Sequence, residues 1–267
     1  AYDFNILLKY PMHNIQFGVK KIGPSFTSLA NPYLQNDTKE KFITDRMRLF
    51  NNKMFLSLSW RSIQNGLLEQ SSASSIGKYD INLSFYPQKK LPHITLNYGI
   101  YTKESGEILS FDNLDENEDE VIDTRLHTET SNYNVYINYG FKLFNINHNL
   151  GLSFYQSENT DLLFDELISS IDDYVSPCSN SNNYNFTLKS YINNKWNTDV
   201  YISNSSFDFS KQNTISYQEQ DISTIRMGFN FSNSKVINKM GAWLDYSEGT
   251  GSSDYSQYGI KLLLDLN

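Results

Sequence analysis

The chain has 267 residues and a formal net charge of -8, a balance that offers no basic face to nucleic acid. Hydrophobic residues make up 39% and mean hydropathy is -0.51, and no run approaches the roughly 18 consecutive apolar residues that a membrane helix takes. A helical span is thereby excluded, but strands are not: aromatics reach 15%, and a strand that alternates apolar with polar residues dilutes its own hydropathy. Ala1 opens the sequence without a signal peptide, which fits a mature or trimmed product.

The first strand is predicted over residues 2–10, with Tyr2, Phe4, Ile6, Leu8 and Tyr10 on one side and Asp3, Asn5 and Lys9 on the other. Residues 15–22 follow after a turn, and the Pro- and Gly-containing stretch 23–34 is expected to be a long loop. Further strands are predicted at 42–50, 53–63, 78–86, 91–102, 131–142, 147–156, 183–191, 195–204, 222–232, 238–247 and 257–267. Asn51-Asn52 suits a tight hairpin turn, and pairing across it sets Leu49 against Met54 and Met47 against Leu56. Similar tests set Leu83 against Ile94, Phe141, Tyr139 and Ile137 against Leu150, Leu152 and Phe154, Leu188 against Thr198, and Phe231 against Met240.

Between these hairpins lie long connections at about 23–40, 64–77, 103–129, 157–182, 206–221 and 247–256. Short turns and long loops therefore alternate, a segregation typical of barrels in a membrane. The connection 103–129 is acidic, with Glu107, Asp112, Asp115, Glu116, Glu118, Asp119, Glu120 and Asp123. It lacks the central glycine and ligand order of a calcium loop and reads as a solvated surface loop. In 160–175 the spacing of Leu163, Phe164, Leu167, Ile168, Ile171 and Tyr174, with Thr160 as a cap, predicts an amphipathic helix.

Thirteen strands leave the two chain ends on opposite sides of the sheet. An even count is usual, so the expected architecture is an all-β, antiparallel up-and-down transmembrane barrel of fourteen or more strands in the full protein. Residues 1–267 are expected to form a single domain that is the C-terminal part of a longer chain. Miscounting an irregular stretch around 23–34 is the alternative.

Alternation puts Arg46, Arg48, Arg61, Lys78, Asp80, Lys142, Asp199, Arg226, Lys239, Asp245 and Lys261 on the inward side, charges of both signs that suit a wet lumen. Glycines at 99, 140, 151, 228, 241 and 259 fall on the same side near Tyr101, Tyr136, Tyr155 and Tyr201, a pattern of rings covering gaps in a curved sheet. Outward, Tyr10, Trp60, Phe85, Phe141, Trp196 and Phe231 are expected to form an aromatic girdle at the short-turn interface.

The final stretch, Gln257 to Asn267, alternates Tyr258, Ile260, Leu262, Leu264 and Leu266 with polar or small residues, broken only at Leu263. Its Gln257, Gly259, Leu262 and Leu264 resemble the C-terminal assembly signal of bacterial outer-membrane β-barrels, with Asn267 where that signal ends in an aromatic. The resemblance implies an outer-membrane location, contact with the lipid bilayer and lipopolysaccharide, insertion by the barrel-assembly machinery, and other outer-membrane subunits as partners. Three functions fit. The first is porin-like passage of small solutes through the polar, mixed-charge lumen. The second is a non-conducting anchor or scaffold that presents acidic loops for adhesion or secretion assembly. The third is a secreted glycan-binding β-sandwich. No cofactor or metal is expected, and Cys178 has no partner cysteine and no metal-ligand neighbours. His13 and His148 at short turns, His93 on the inward side and His127 in the acidic loop lack a serine or carboxylate at motif spacing, so the chain is expected not to be an enzyme.

Overall fold

The computed structural model describes residues 1–23, 37–66, 73–87, 91–106, 108–111, 120–123, 125–164, 178–193, 195–209, 218–232, 237–251 and 254–266. Strands dominate: β1 (Tyr2–Lys9), β2 (His13–Ile22), β3 (Thr38–Leu49), β4 (Met54–Asn65), β5 (Ser74–Phe85), β6 (His93–Ser105), β7 (Ile108–Phe111), β8 (Glu120–Asp123), β9 (Leu126–Leu143), β10 (Ile146–Asp161), β11 (Ser179–Tyr191), β12 (Trp196–Phe209), β13 (Gln218–Ser232), β14 (Ile237–Thr250) and β15 (Tyr255–Leu266). Thirteen of them form one antiparallel sheet in which each strand pairs with the next, while β7 and β8 make a separate hairpin. The architecture is up-and-down throughout, as the hydrophobic alternation predicts.

A single sequential sheet also corrects the β-sandwich alternative. A sandwich buries one apolar face of each sheet against the other. Here the apolar face stays open, with Ile22 the buried hydrophobic residue among those described, and Tyr258, Ile260 and Leu262 each more than 75% exposed.

The tight turns explain both where register was readable and where it was not. At the β3–β4 hairpin Phe50, Asn51 and Asn52 all take left-handed backbone (φ 52°, 54° and 62°), Lys53 N donates to Phe50 O at 3.2 Å, and Leu49 faces Met54 as the sequence predicts. At β9–β10 the turn is tighter than expected. Phe144 and Asn145 (φ 48° and 64°) connect Leu143 directly to Ile146, so Phe141 faces His148, Tyr139 faces Leu150 and Ile137 faces Leu152. Register there moves by two residues, as it does at β5–β6, where Leu83 faces Leu96, and at β11–β12, where Leu188 faces Val200. A shift of two keeps every side chain on its face, which is why the facial assignment survives it.

Several strands run further into the long connections than the sequence suggests. β10 continues through Thr160 to Asp161, so Thr160 is a strand residue and not a helix cap. The rest of the predicted helix beyond Phe164, like most of the acidic run and the stretch 24–36, lies outside the described residues. Glu120 and Asp123 belong to β8, and His127 to β9, where a loop is expected from sequence. The final connection, 251–254, is as short as the turns on the opposite side.

Candidate functional site on the polar face

Following the ladder from strand to strand gives the two faces directly. Arg46 faces Ser57, Ser57 faces Asn82, Asn82 faces Asn97, Asn97 faces Asn134, Asn134 faces Tyr155 and Tyr155 faces Asn183. The row continues to Ser205 in β12. The register puts all eleven charged residues singled out from the sequence on this same face: Arg46, Arg48, Arg61, Lys78, Asp80, Lys142, Asp199, Arg226, Lys239, Asp245 and Lys261. Residues one position away carry the apolar face, for example Leu56, Leu83, Leu96, Val135, Phe154 and Tyr184.

Charges on the polar face divide into paired and unpaired. Arg226 Nε donates to Asp245 Oδ1 at 2.5 Å and its Nη2 reaches Oδ2 at 3.4 Å, a two-point contact across β13–β14. Arg61 Nε lies 3.3 Å from Glu40 Oε1, with its guanidinium 6.0 Å from the Phe42 ring centre. Lys78 Nζ sits 3.6 Å from Asp80, which also accepts from Ser59 Oγ at 3.1 Å. Asp199 accepts from Asn230 Nδ2 at 2.6 Å. Among the described residues Arg46, Arg48 and Lys142 have no ion pair, and all three are exposed.

Neutral polar groups tie the middle of the face together. Tyr201 Oη donates to Asn185 Oδ1 at 2.7 Å, Asn185 Nδ2 donates to Ser153 Oγ at 3.1 Å, and Tyr155 Oη donates to Asn132 Oδ1 at 3.1 Å. A polar hollow of 240 Å³ opens nearby between Lys78, Asp80, Asn97, Tyr101, Asn134 and Tyr155. Its floor is Gly99, where a Cβ would stand 3.1 Å from the Asp80 carboxylate.

Sequence reasoning missed the ring that covers most of the glycine gaps at one edge. Trp243, not a tyrosine, lies over both Gly228 and Gly241, and a Cβ at either position would overlap its indole. Gly228 and Trp243 are direct cross-strand partners, as are Gly18 and Phe42, and Gly249 and Tyr255. The signal that finds them is register: a glycine directly opposite an aromatic on the polar face.

Of the six apolar-face aromatics expected at the short-turn interface, all but one lie near the short turns. Phe85 ends β5 beside Ile94, Phe141 packs on His148 with ring centres 5.1 Å apart, and Trp196 packs on Phe231 at 4.2 Å. Tyr10 adjoins the first turn, its N donating to His13 O at 2.8 Å. Trp60 instead faces Ile43 and Tyr79 in the middle of β4, well away from the turn.

Fold and surface together define the class: an up-and-down antiparallel sheet of the kind that builds membrane β-barrels. Thirteen sequential strands carry an apolar, lipid-type face on one side and a polar face on the other. No protein-family model and no curated protein matches the chain. Among solved structures it is similar to a loop-deletion mutant of OmpT, an outer membrane protein of Vibrio cholerae, with a TM-score of 0.43, 10% identity, and coverage of 95% of this chain and 76% of that one. Outer-membrane-expressed OmpT of Vibrio cholerae gives 0.42, 10%, 96% and 78%. The β domain of the Bordetella autotransporter BrkA gives 0.31, 6%, 97% and 94%.

One expectation is corrected at this point. The chain was expected not to be an enzyme because its histidines lack serine or carboxylate partners at motif spacing, yet the fold supplies both kinds. His13 Nδ1 lies 2.9 Å from Asp45 Oδ2 across β2–β3, and His148 Nδ1 lies 2.8 Å from Ser190 Oγ across β10–β11. The missing partners were the ground for that expectation, and the fold removes it; both pairs lie on the apolar face.

Proposed function

We propose that the chain is the wall of a channel in the bacterial outer membrane, passing small polar solutes along the polar face. The observation that supports this reading most is the set of unpaired cations on that face. Arg46, Arg48 and Lys142 have no carboxylate within ion-pair distance among the described residues, and an unpaired charge shut away from water costs several kcal/mol. A hydrated lumen removes that cost. Short side chains, mainly Asn and Ser, fill the mid-face row and leave it open rather than packed. Barrels of about 8 strands fill their interior with side chains and those of 16–18 strands leave an aqueous channel. A sheet of this width lies toward the open end of that range.

Because thirteen alternating strands put β1 and β15 in the same direction, an antiparallel seam between them requires a strand running opposite to both. The apolar face of β15 is the surface offered to the lipid bilayer and to the barrel-assembly machinery, and the long-loop side is the one that meets lipopolysaccharide.

The test is planar-bilayer conductance of the detergent-purified, full-length protein beside a variant with Lys142→Glu and Lys261→Glu. Steady current, with selectivity moved toward cations by the variant, is the expected outcome. Silence from a folded, heat-modifiable barrel overturns the channel reading in favour of an anchor or scaffold.

A further inference from the structure

We propose that the short-turn end of the polar face holds a binding site for a phosphate-type oxyanion, built from Lys9, Asn14, Arg46 and Arg48. The site rests on the reading of this face as water-accessible, and goes beyond it by naming a place and a ligand chemistry. A cavity of 280 Å³ opens there, bounded by the β1–β2 turn and by the last turn of β3. Lys9 faces Asn14 and Asn14 faces Arg46, so the three lie in one cross-strand row, with Arg48 two residues along β3. Adjacent strands are roughly 4.8 Å apart and alternate residues on one strand roughly 7 Å apart, which brings three long cationic side chains within reach of one small anion.

Among the described residues, none on the same face forms an ion pair with them. The nearest carboxylate on the polar face across the following strands is Asp80, already held by Ser59 Oγ and Lys78 Nζ. Asp45 is the neighbour of Arg46 in sequence but lies on the opposite face, hydrogen-bonded to His13. Three cations without an acid favour a multiply charged anion over a lone carboxylate. Two guanidiniums offer the paired N–H donors that match phosphate oxygens. Asn14 stands between Lys9 and Arg46 in the row and lines the cavity, and its carboxamide N–H group can donate to an anion oxygen. The backbone beneath is fixed by Arg48 N donating to Met12 O at 2.9 Å, which ties β3 to the β1–β2 turn and holds the cations in place.

Titration calorimetry of the full-length protein, folded in neutral detergent, tests the site with inorganic phosphate as the probe. Saturable binding is expected, weakened at least tenfold by K9Q with R46Q and R48Q, and unchanged by K142Q on the same face. R48K keeps the charge but loses the planar fork, and an intermediate loss is expected; it also serves if the triple variant does not fold. Repeating the titration in micelles doped with phosphatidylglycerol separates the sources: competition marks a lipid headgroup as occupant, and unchanged binding marks a free phosphate compound. Absence of saturable heat, or equal binding by the triple variant, overturns the proposal even if the protein conducts. Binding by a non-conducting barrel supports the site while the channel reading fails.

Discussion

Gly228 sits directly across the β13–β14 ladder from Trp243, and the indole occupies the space that a Cβ at position 228 would need. The ring also covers Gly241 on its own strand, so one tryptophan closes two gaps on the polar face. Adding a methyl group at position 228 must displace both the indole and the Asp199 carboxylate beside it. Gly228→Ala is expected to destabilise the folded barrel by about 1–3 kcal/mol, the usual range for overpacking. Tryptophan emission during urea unfolding measures it, and an unchanged midpoint with an unchanged spectrum would remove Trp243 from this role.

The β9–β10 turn makes a sharper prediction because its backbone is unambiguous. Asn145 adopts φ 64°, a left-handed conformation that asparagine tolerates and β-branched residues do not. Asn145→Val is expected to cost about 1–2 kcal/mol, and Asn145→Gly to leave stability the same or slightly higher. Equal unfolding midpoints for the two variants would show that the turn does not keep this geometry in the membrane-inserted protein.

Arg226 and Asp245 form the best ion pair on the polar face by geometry, yet both side chains remain open to solvent, at 48% and 24%. Screening by solvent limits what such a pair contributes to stability. A double-mutant cycle with Arg226→Gln and Asp245→Asn is expected to give a coupling below about 1 kcal/mol, while each single variant shifts ion selectivity in opposite directions. A coupling of several kcal/mol would mean that the face is dry.

The strands and their faces were legible because both depend on a period of two that thirteen segments repeat. Register was legible only where the turn declared itself. Asn51-Asn52 announced a tight turn, but Phe144-Asn145 did not, since phenylalanine seldom accepts φ near 48° and no sequence rule expects it there. Strand ends in the long connections were obscured for a different reason. Thr160 and Asp161 are polar, and above the membrane a strand has no lipid to select apolar residues on alternate positions. The histidine pairs were invisible because their partners lie 32 and 42 residues away and meet only across the ladder. Among the cations of the candidate site, Arg46 and Arg48 could be assigned to a face from alternation. Their convergence with Lys9 needed the β1–β2–β3 register.

Assignment of the two faces is itself open to a direct test with neighbouring residues in the middle of β9. Asn134 faces Asn97 and Tyr155 on the polar side, whereas Val135 faces Leu96 and Phe154 on the apolar side. Val135 lies eight residues from the short-turn end of an 18-residue strand, a depth that puts it near the bilayer midplane. A lysine there exchanges hydrocarbon contact for a charge in lipid, and Val135→Lys is expected to destabilise the inserted barrel by about 2–4 kcal/mol. Asn134→Lys meets water and neighbouring amides, so it is expected to fold normally and to move ion selectivity toward anions. Folding into phosphatidylcholine vesicles, followed by heat-modified mobility and urea titration, compares the two. The reverse ranking would turn the sheet inside out and take the proposed lumen and its oxyanion site with it.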